Sequence, residues 1–230
     1  MPNAPVLLLH GALGSSAQFT PLKQLLERAG RETFLLNFSG HGGTSFSSDF
    51  SIPSFAEEIV NFIRERKLSD VHIFGYSMGG YAAMFAAHLN PENISKIITL
   101  GTKFDWNPQT AEHETKKLNA EKIAQKVPAF AEVLRERHAP NDWKLLVTKT
   151  ADLMLSLGNA PLLVDDILNS LQQDILICLG DADDMADPHY SKRVSEVLPR
   201  GHFKLLENTP HLIEKVNQEM LYHVIQDHWV

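Results

Sequence analysis

The sequence predicts an α/β architecture: a mainly parallel sheet of about six strands, flanked by helices and interrupted once by a helical insertion. Three observations lead there. Short strand-like runs alternate with helical patterns, as parallel strands joined by crossover helices require. The first run, residues 6–10 (VLLLH), is apolar almost throughout instead of alternating, which suits a strand covered on both faces. The stretch from Lys103 to Leu171 carries no convincing strand and is punctuated by Pro108, Pro128, Pro140, Gly158 and Pro161.

Each element then has its local reason. After the first strand, Ser15 or Ser16 can cap a helix over 17–29, which Gly30 can end. Residues 33–37 form the second strand, and Gly40-His41-Gly42-Gly43 makes a loop. Ser54 caps a helix running to about Arg66. Residues 71–74 (VHIF) are the third strand, ending at Gly75. Met78–Leu89 is Ala-rich and apolar on nearly all sides, so it is expected as a buried helix that Pro91 closes. Ile94–Leu100, 175–179 (ILICL) and 203–206 (FKLL) complete the six strands, with a helix from about Pro188 between the last two. A terminal amphipathic helix covers about 212–227. The expected organisation is a core of residues 1–102 and 172–230 with a helical cap inserted at 103–171.

Composition excludes several functions. With 21 Lys+Arg against 28 Asp+Glu, the formal charge is −7, a poor match for a nucleic-acid backbone. No run approaches the roughly 18 apolar residues of a membrane span. The opening Met1-Pro2-Asn3-Ala4-Pro5 has no basic stretch, so no leader is expected. The single cysteine, Cys178, forms no internal disulfide and agrees with a reducing cytoplasm. The insertion is nearly neutral, with 9 basic and 10 acidic residues, and is therefore no charged clamp. Its Phe104, Trp106, Phe130, Trp143 and Met154 either line an apolar pocket or simply hold the insertion together.

The sharpest chemical signal is Gly75-Tyr76-Ser77-Met78-Gly79, lying between a strand and a helix. A serine on such a corner is strained and exposed, and glycines two residues either side let the backbones pass. The corner also puts the Met78 N–H at a helix N-terminus, where negative charge is favoured. A serine hydroxyl needs a base and an orienting carboxylate to become a nucleophile. Of the 11 histidines, His88, His223 and His228 fall on helices, while His113 and His138 belong to the insertion. His211 follows the last strand at the same sheet edge as Ser77, and is expected to be the base. The carboxylate is expected among Asp181, Asp183, Asp184 and Asp187. A calcium loop fails there because Met185, Ala186 and Lys192 stand where ligands, glycine and glutamate are required. A phosphate-binding loop from Gly75 to Gly80 fails because Tyr81 replaces its lysine.

The elbow, the order Ser77, Asp, His211, and the loop His10-Gly11-Ala12-Leu13-Gly14 together resemble the α/β-hydrolase superfamily over essentially the whole chain outside the insertion. The resemblance implies a serine-nucleophile, esterase-like member lacking the family's first two strands. It implies Asp183 as the acid, three residues past the strand-ending Gly180, with Asp184 as runner-up. It also implies that the backbone N–H groups of Ala12 and Met78 form an oxyanion hole. His41 is expected to stabilise its loop, and Asn37 replaces a common aspartate. Ser77 in place of aspartate argues against dehalogenase and epoxide-hydrolase chemistry. Tyr81 takes the place of the arginine typical of the menaquinone-pathway synthase, which lowers the expectation of a dianionic substrate. Pro210 stands where glycine usually precedes the histidine.

The expected function is hydrolysis of a small or medium carboxylic ester through an acyl-enzyme, with no cofactor and no metal. The expected partner is a small-molecule acyl substrate, with neither nucleic acid nor membrane. A thioesterase or carbon–carbon bond hydrolase would use the same residues. A ligand-binding, receptor-like member with vestigial catalysis is the alternative from another class.

Overall fold

The structure, a computed structural model, describes residues 4–229. Met1–Asn3, on which the leader expectation partly rests, and Val230 lie outside the described residues. Six strands are present among them: β1 (Val6–Leu9), β2 (Thr33–Leu36), β3 (Val71–Tyr76), β4 (Ile94–Leu100), β5 (Asp174–Ala182) and β6 (Gly201–Pro210). They form one sheet in the order β2-β1-β3-β4-β5-β6, with every pairing parallel, as the sequence predicts. The helices are α1 (Thr20–Arg28), α2 (Ile52–Glu65), α3 (Met78–Leu89), α4 (Pro108–Thr115), α5 (Ala120–Lys126), α6 (Pro128–His138), α7 (Trp143–Asn159), α8 (Asp165–Ser170), α9 (Pro188–Val197) and α10 (Gln218–Trp229). No helix among the described residues is long and apolar enough to cross a membrane.

The period-2 pleat divides β1 between two cores. Val6 and Leu8 pack with α1 and α10, while Leu7 and Leu9 pack with α2, α3 and α9. Both faces are thus covered, and all four β1 side chains are fully buried. Helix α3 is apolar on nearly all sides because it is wedged between the sheet and α2. Five helices, α4 to α8, fill the interval between β4 and β5, where the sequence shows no strand.

Several boundaries differ from expectation, among them β3, which runs on through Gly75 to Tyr76. Ser15 caps a short 3-10 turn, Ser16–Phe19, and the α-helix starts only at Thr20. Pro21 then falls in the first turn, where its missing N–H costs nothing. Ser51, not Ser54, caps α2, its hydroxyl accepting from Ser54 N at 3.3 Å. That choice starts the buried stripe at Ile52 and Phe55 and again leaves a proline, Pro53, in the first turn. Strands β5 and β6 outrun their apolar cores and stay paired to Ala182 and Pro210 through polar, half-exposed residues that carry no hydrophobic signal. Most of the expected loop before His211 is therefore strand. Finally, the terminal helix is split: a 3-10 turn at Ile213–Lys215 precedes α10, whose first N–H groups, from Glu219 and Met220, donate to Asn217 Oδ1 at 3.0 Å.

The strand order reverses beside β1, whose neighbours are β2 on one side and β3 on the other. The loops after β1 and β3 therefore leave the sheet edge side by side, where open α/β sheets bind ligands.

Candidate active site

Ser77 occupies that edge. Its φ of +51° and ψ of −117° lie in a region that side-chain-bearing residues avoid, so the elbow is strained as its sequence implies. Neighbouring contacts hold it there: Ser77 N donates to Leu100 O at 2.8 Å and Thr102 Oγ1 donates to Ser77 O at 2.9 Å. The flanking glycines have steric work. A β-carbon on Gly75 would sit 2.5 Å from Gly80 Cα, and one on Gly79 would sit 2.6 Å from the carbonyl oxygens of Leu9 and His10. The Ser77 side chain makes no capping bond to α3, which leaves its hydroxyl available. Met78 is the first residue of α3, so its N–H is one of the helix's orphan donors.

The loop after β1 packs directly on this corner, since a β-carbon on Gly11 would lie 3.1 Å from Ser77 Cβ. His10 Nδ1 bonds Gly11 O at 2.8 Å while its Nε2 accepts from Phe38 N at 3.1 Å. That pairing fixes a neutral ring with the proton on Nδ1. Burial agrees, lowering the His10 pKa to about 4. His41 is a buried loop residue bonded to Ser39 O at 3.0 Å, as expected. Asn37 links two loops by accepting from Ser16 N at 2.7 Å.

Of the aspartates after β5, the structure joins Asp183 to His211, with Oδ2 at 2.8 Å from Nδ1. The carboxylate's other oxygen accepts from Met185 N at 2.8 Å and Ala186 N at 3.1 Å. Burial pushes the Asp183 carboxyl upward. Its bond and charge interaction with His211, together with those two N–H groups, outweigh burial and hold it below its ordinary value. Asp184 is exposed, Asp181 accepts from Thr209 N at 3.2 Å, and Asp187 caps α9. The His211 ring lies 5.4 Å from the ring of Tyr76, immediately before Ser77. No hydrogen bond joins Ser77 Oγ to His211 among the described residues. Such bonds are commonly long without substrate and tighten in the reacting complex. Cys178 is fully buried, and burial pushes its thiol up to about 12, which removes it as a rival nucleophile.

A cavity of about 30 Å³ is lined by Ser77, Ala12 and Met78 together with Ile52, Tyr81 and the insertion residues Lys103, Trp106, Thr150, Leu153, Met154 and Leu157. Of the aromatic candidates named from sequence, Trp106 lines it, whereas Phe104 and Trp143 are packed in the cores. Lys103 is the one basic side chain in the wall, and its charge is used internally. Its Nζ lies 3.1 Å from Asp105 Oδ1 and 3.7 Å from Glu114 Oε1, and donates to Met185 O at 3.1 Å. The Tyr81 hydroxyl, at the position of the missing lysine or arginine, accepts from Leu162 N and Leu163 N at 3.1 and 3.0 Å. Among the described residues no group of three or more His, Cys, Asp or Glu side chains could hold a metal.

His138, which the sequence places only in the insertion, is brought by the fold to the loop after β1, bonded to Leu13 O at 3.0 Å. Only tertiary packing reveals this, because nothing in the spacing of 125 residues connects them. Gly101 likewise carries no signal in the sequence; it follows β4 with φ +61° and abuts the Asp183–His211 pair.

The model of the alpha/beta hydrolase fold matches residues 4–164, and the chain belongs to that family. An sn-1-specific diacylglycerol lipase of Xenopus tropicalis is 25% identical over 100 residues, covering 43% of this chain and 31% of that protein. The match thus spans about a third of that relative's length. An esterase of Exiguobacterium antarcticum has a similar structure, with TM-score 0.79 and 20% identity over 100% of this chain and 93% of its own. A structure from a study of carboxylesterases of Nitrososphaera gargenis gives TM-score 0.78 and 16% identity over 98% and 89%. At these identities the two structures establish the shared fold.

Proposed function

We propose that the protein is a serine hydrolase that cleaves small or medium, uncharged carboxylic esters. The observation that carries this is the strained, cavity-lining Ser77 at one sheet edge with the bonded Asp183–His211 pair. In the proposed reaction Ser77 Oγ attacks the acyl carbonyl carbon and its proton passes to His211 Nε2. Asp183 holds the Nδ1–H tautomer and stabilises the imidazolium. The carbonyl oxygen, now an anion, accepts from the N–H groups of Ala12 and Met78, each donor of this kind being worth about 10²–10³ in rate. The C–O bond breaks, His211 returns the proton to the leaving alcohol, and Ser77 carries the acyl group. Water then attacks with His211 as base, releasing the carboxylic acid and free serine.

The substrate assignment follows the walls. Helices α4 to α8 act in this reading as a cap whose apolar residues Trp106, Leu153, Met154 and Leu157 receive the acyl group. This apolar lining suits an acyl chain, and the internally neutralised Lys103 favours an uncharged substrate. The test is steady-state hydrolysis of p-nitrophenyl acetate and butyrate. Ser77→Ala is expected to lower kcat by roughly 10³-fold or more. Turnover that survives this change undiminished would refute the proposal.

A further inference from the structure

The carbonyl oxygen of Leu13, one residue past the proposed donor Ala12, accepts two bonds from the last turn of α6. Arg137 Nη1 and His138 Nε2 each reach it at 3.0 Å. The other ring nitrogen of His138 accepts from Gly42 N at 3.1 Å, which places the ring proton on Nε2. The ring is fully buried, and burial lowers its pKa to about 4, so it stays neutral in this role. The Leu13 side chain is held as well, packed with Ile123, Leu134, Trp143 and Leu146 of the insertion. Arg137 also reaches the other side of the site: its Nη2 bonds Glu214 Oε1 at 2.9 Å, three residues beyond His211.

Leu13 needs such a grip. Its φ is +56°, a conformation that a leucine keeps only where its surroundings dictate it. The turn it shapes is closed by Gly14 N donating to Gly11 O at 3.1 Å. That carbonyl and the Ala12 N–H belong to one rigid peptide plane. Releasing Leu13 therefore tilts the plane and re-aims the Ala12 N–H.

We propose that Arg137 and His138 are positioning residues that aim the Ala12 N–H at the reacting oxygen, so that the oxyanion site is complete only while α6 is docked. The catalytic consequence rests on the serine chemistry proposed above; the grip itself does not. Two measurements on the full chain separate them: amide hydrogen exchange at Gly14, and kcat and KM for p-nitrophenyl acetate. Arg137→Ala and His138→Ala are expected to speed Gly14 exchange roughly tenfold or more while amides of β1 and β3 keep their protection. They are expected to lower kcat about 10–100-fold with KM changed less than about twofold. His138→Gln, whose amide can still donate to Leu13 O, is expected to recover most of the kcat. Unchanged Gly14 exchange, wild-type kcat, or a loss confined to KM would each overturn the inference. If Ser77→Ala hydrolyses the ester like the wild type, the serine chemistry fails, and Gly14 exchange still decides the grip.

Discussion

Gly101→Ala probes the site with a single methyl group. A β-carbon at this position lies 2.9 Å from Asp183 Oδ2 and 3.2 Å from His211 Nδ1, the two atoms that share the hydrogen bond. Ordinary contact begins near 3.4 Å, so the carboxylate must retreat by about 0.5 Å. It has little freedom to do so, because Met185 N and Ala186 N already hold its other oxygen. The imidazole, packed beside Tyr76, must give as well. Misplacing reacting groups by 1 Å can cost about 10²-fold, so a shift of roughly half that is expected to lower kcat by 10–100-fold. KM is expected to change little, since Gly101 is not part of the cavity wall. The left-handed φ of +61° adds a stability cost of about 1–2 kcal/mol. For a chain of this size that corresponds to a Tm lower by roughly 2–8 °C. The assay is p-nitrophenyl acetate turnover beside a circular-dichroism melt in the same buffer. A folded Gly101→Ala protein with wild-type kcat would refute the proposed acid–base pair.

Asp183→Asn is expected to lower kcat by about 10³–10⁴-fold, because the amide sets His211 in the wrong tautomer. Asp184→Asn is expected to leave ester turnover unchanged, and equal losses in the two variants would contradict the assignment. Ile52, Leu153 and Leu157 separate the cavity from an open groove of about 280 Å³ between the start of α2 and α7. Leu153→Ala and Leu157→Ala should breach this wall and raise the octanoate-to-butyrate ratio of kcat/KM roughly tenfold, while an unchanged ratio would place the acyl group elsewhere. Acid should destabilise the fold before carboxylates titrate. His10 falls from 6.5 to about 4 in the native state, so only the unfolded chain binds its proton between those values. The stability it contributes is full above pH 6.5 and is lost as pH falls to about 4, by ~3 kcal/mol. Buried His72 and His138 act in the same direction. Melting curves should therefore show Tm falling by roughly 6–12 °C or more between neutral pH and pH 4, and a flat profile would contradict it.

What the sequence reveals here depends on how local the cause is. The uniformly apolar β1 and the glycine-framed Ser77 are legible because pleat and strain act within a few residues. His211 is legible because a last strand delivers it to the same edge. The run of aspartates after β5 narrows to Asp183 only through resemblance, because the pattern alone does not say which of them meets His211; the 2.8 Å bond between the two exists only in the folded chain. The polar ends of β5 and β6 carry no signal because an edge pair needs no buried side chains. The α2 cap falls at Ser51 and not at Ser54 because the buried stripe of the helix already begins at Ile52 and Phe55. Arg137, His138, Gly101 and the cavity wall are invisible in one dimension. Each acts through contacts that only the finished fold creates.

The most direct test of the central claim is intact-mass measurement after exposure to a fluorophosphonate, with Ser77→Ala run alongside. We expect one adduct on the wild-type chain and none on the variant, accompanied by steady turnover of p-nitrophenyl acetate by the wild type alone. No adduct on the wild-type chain would mean that Ser77 is not activated, and would contradict the proposed serine chemistry.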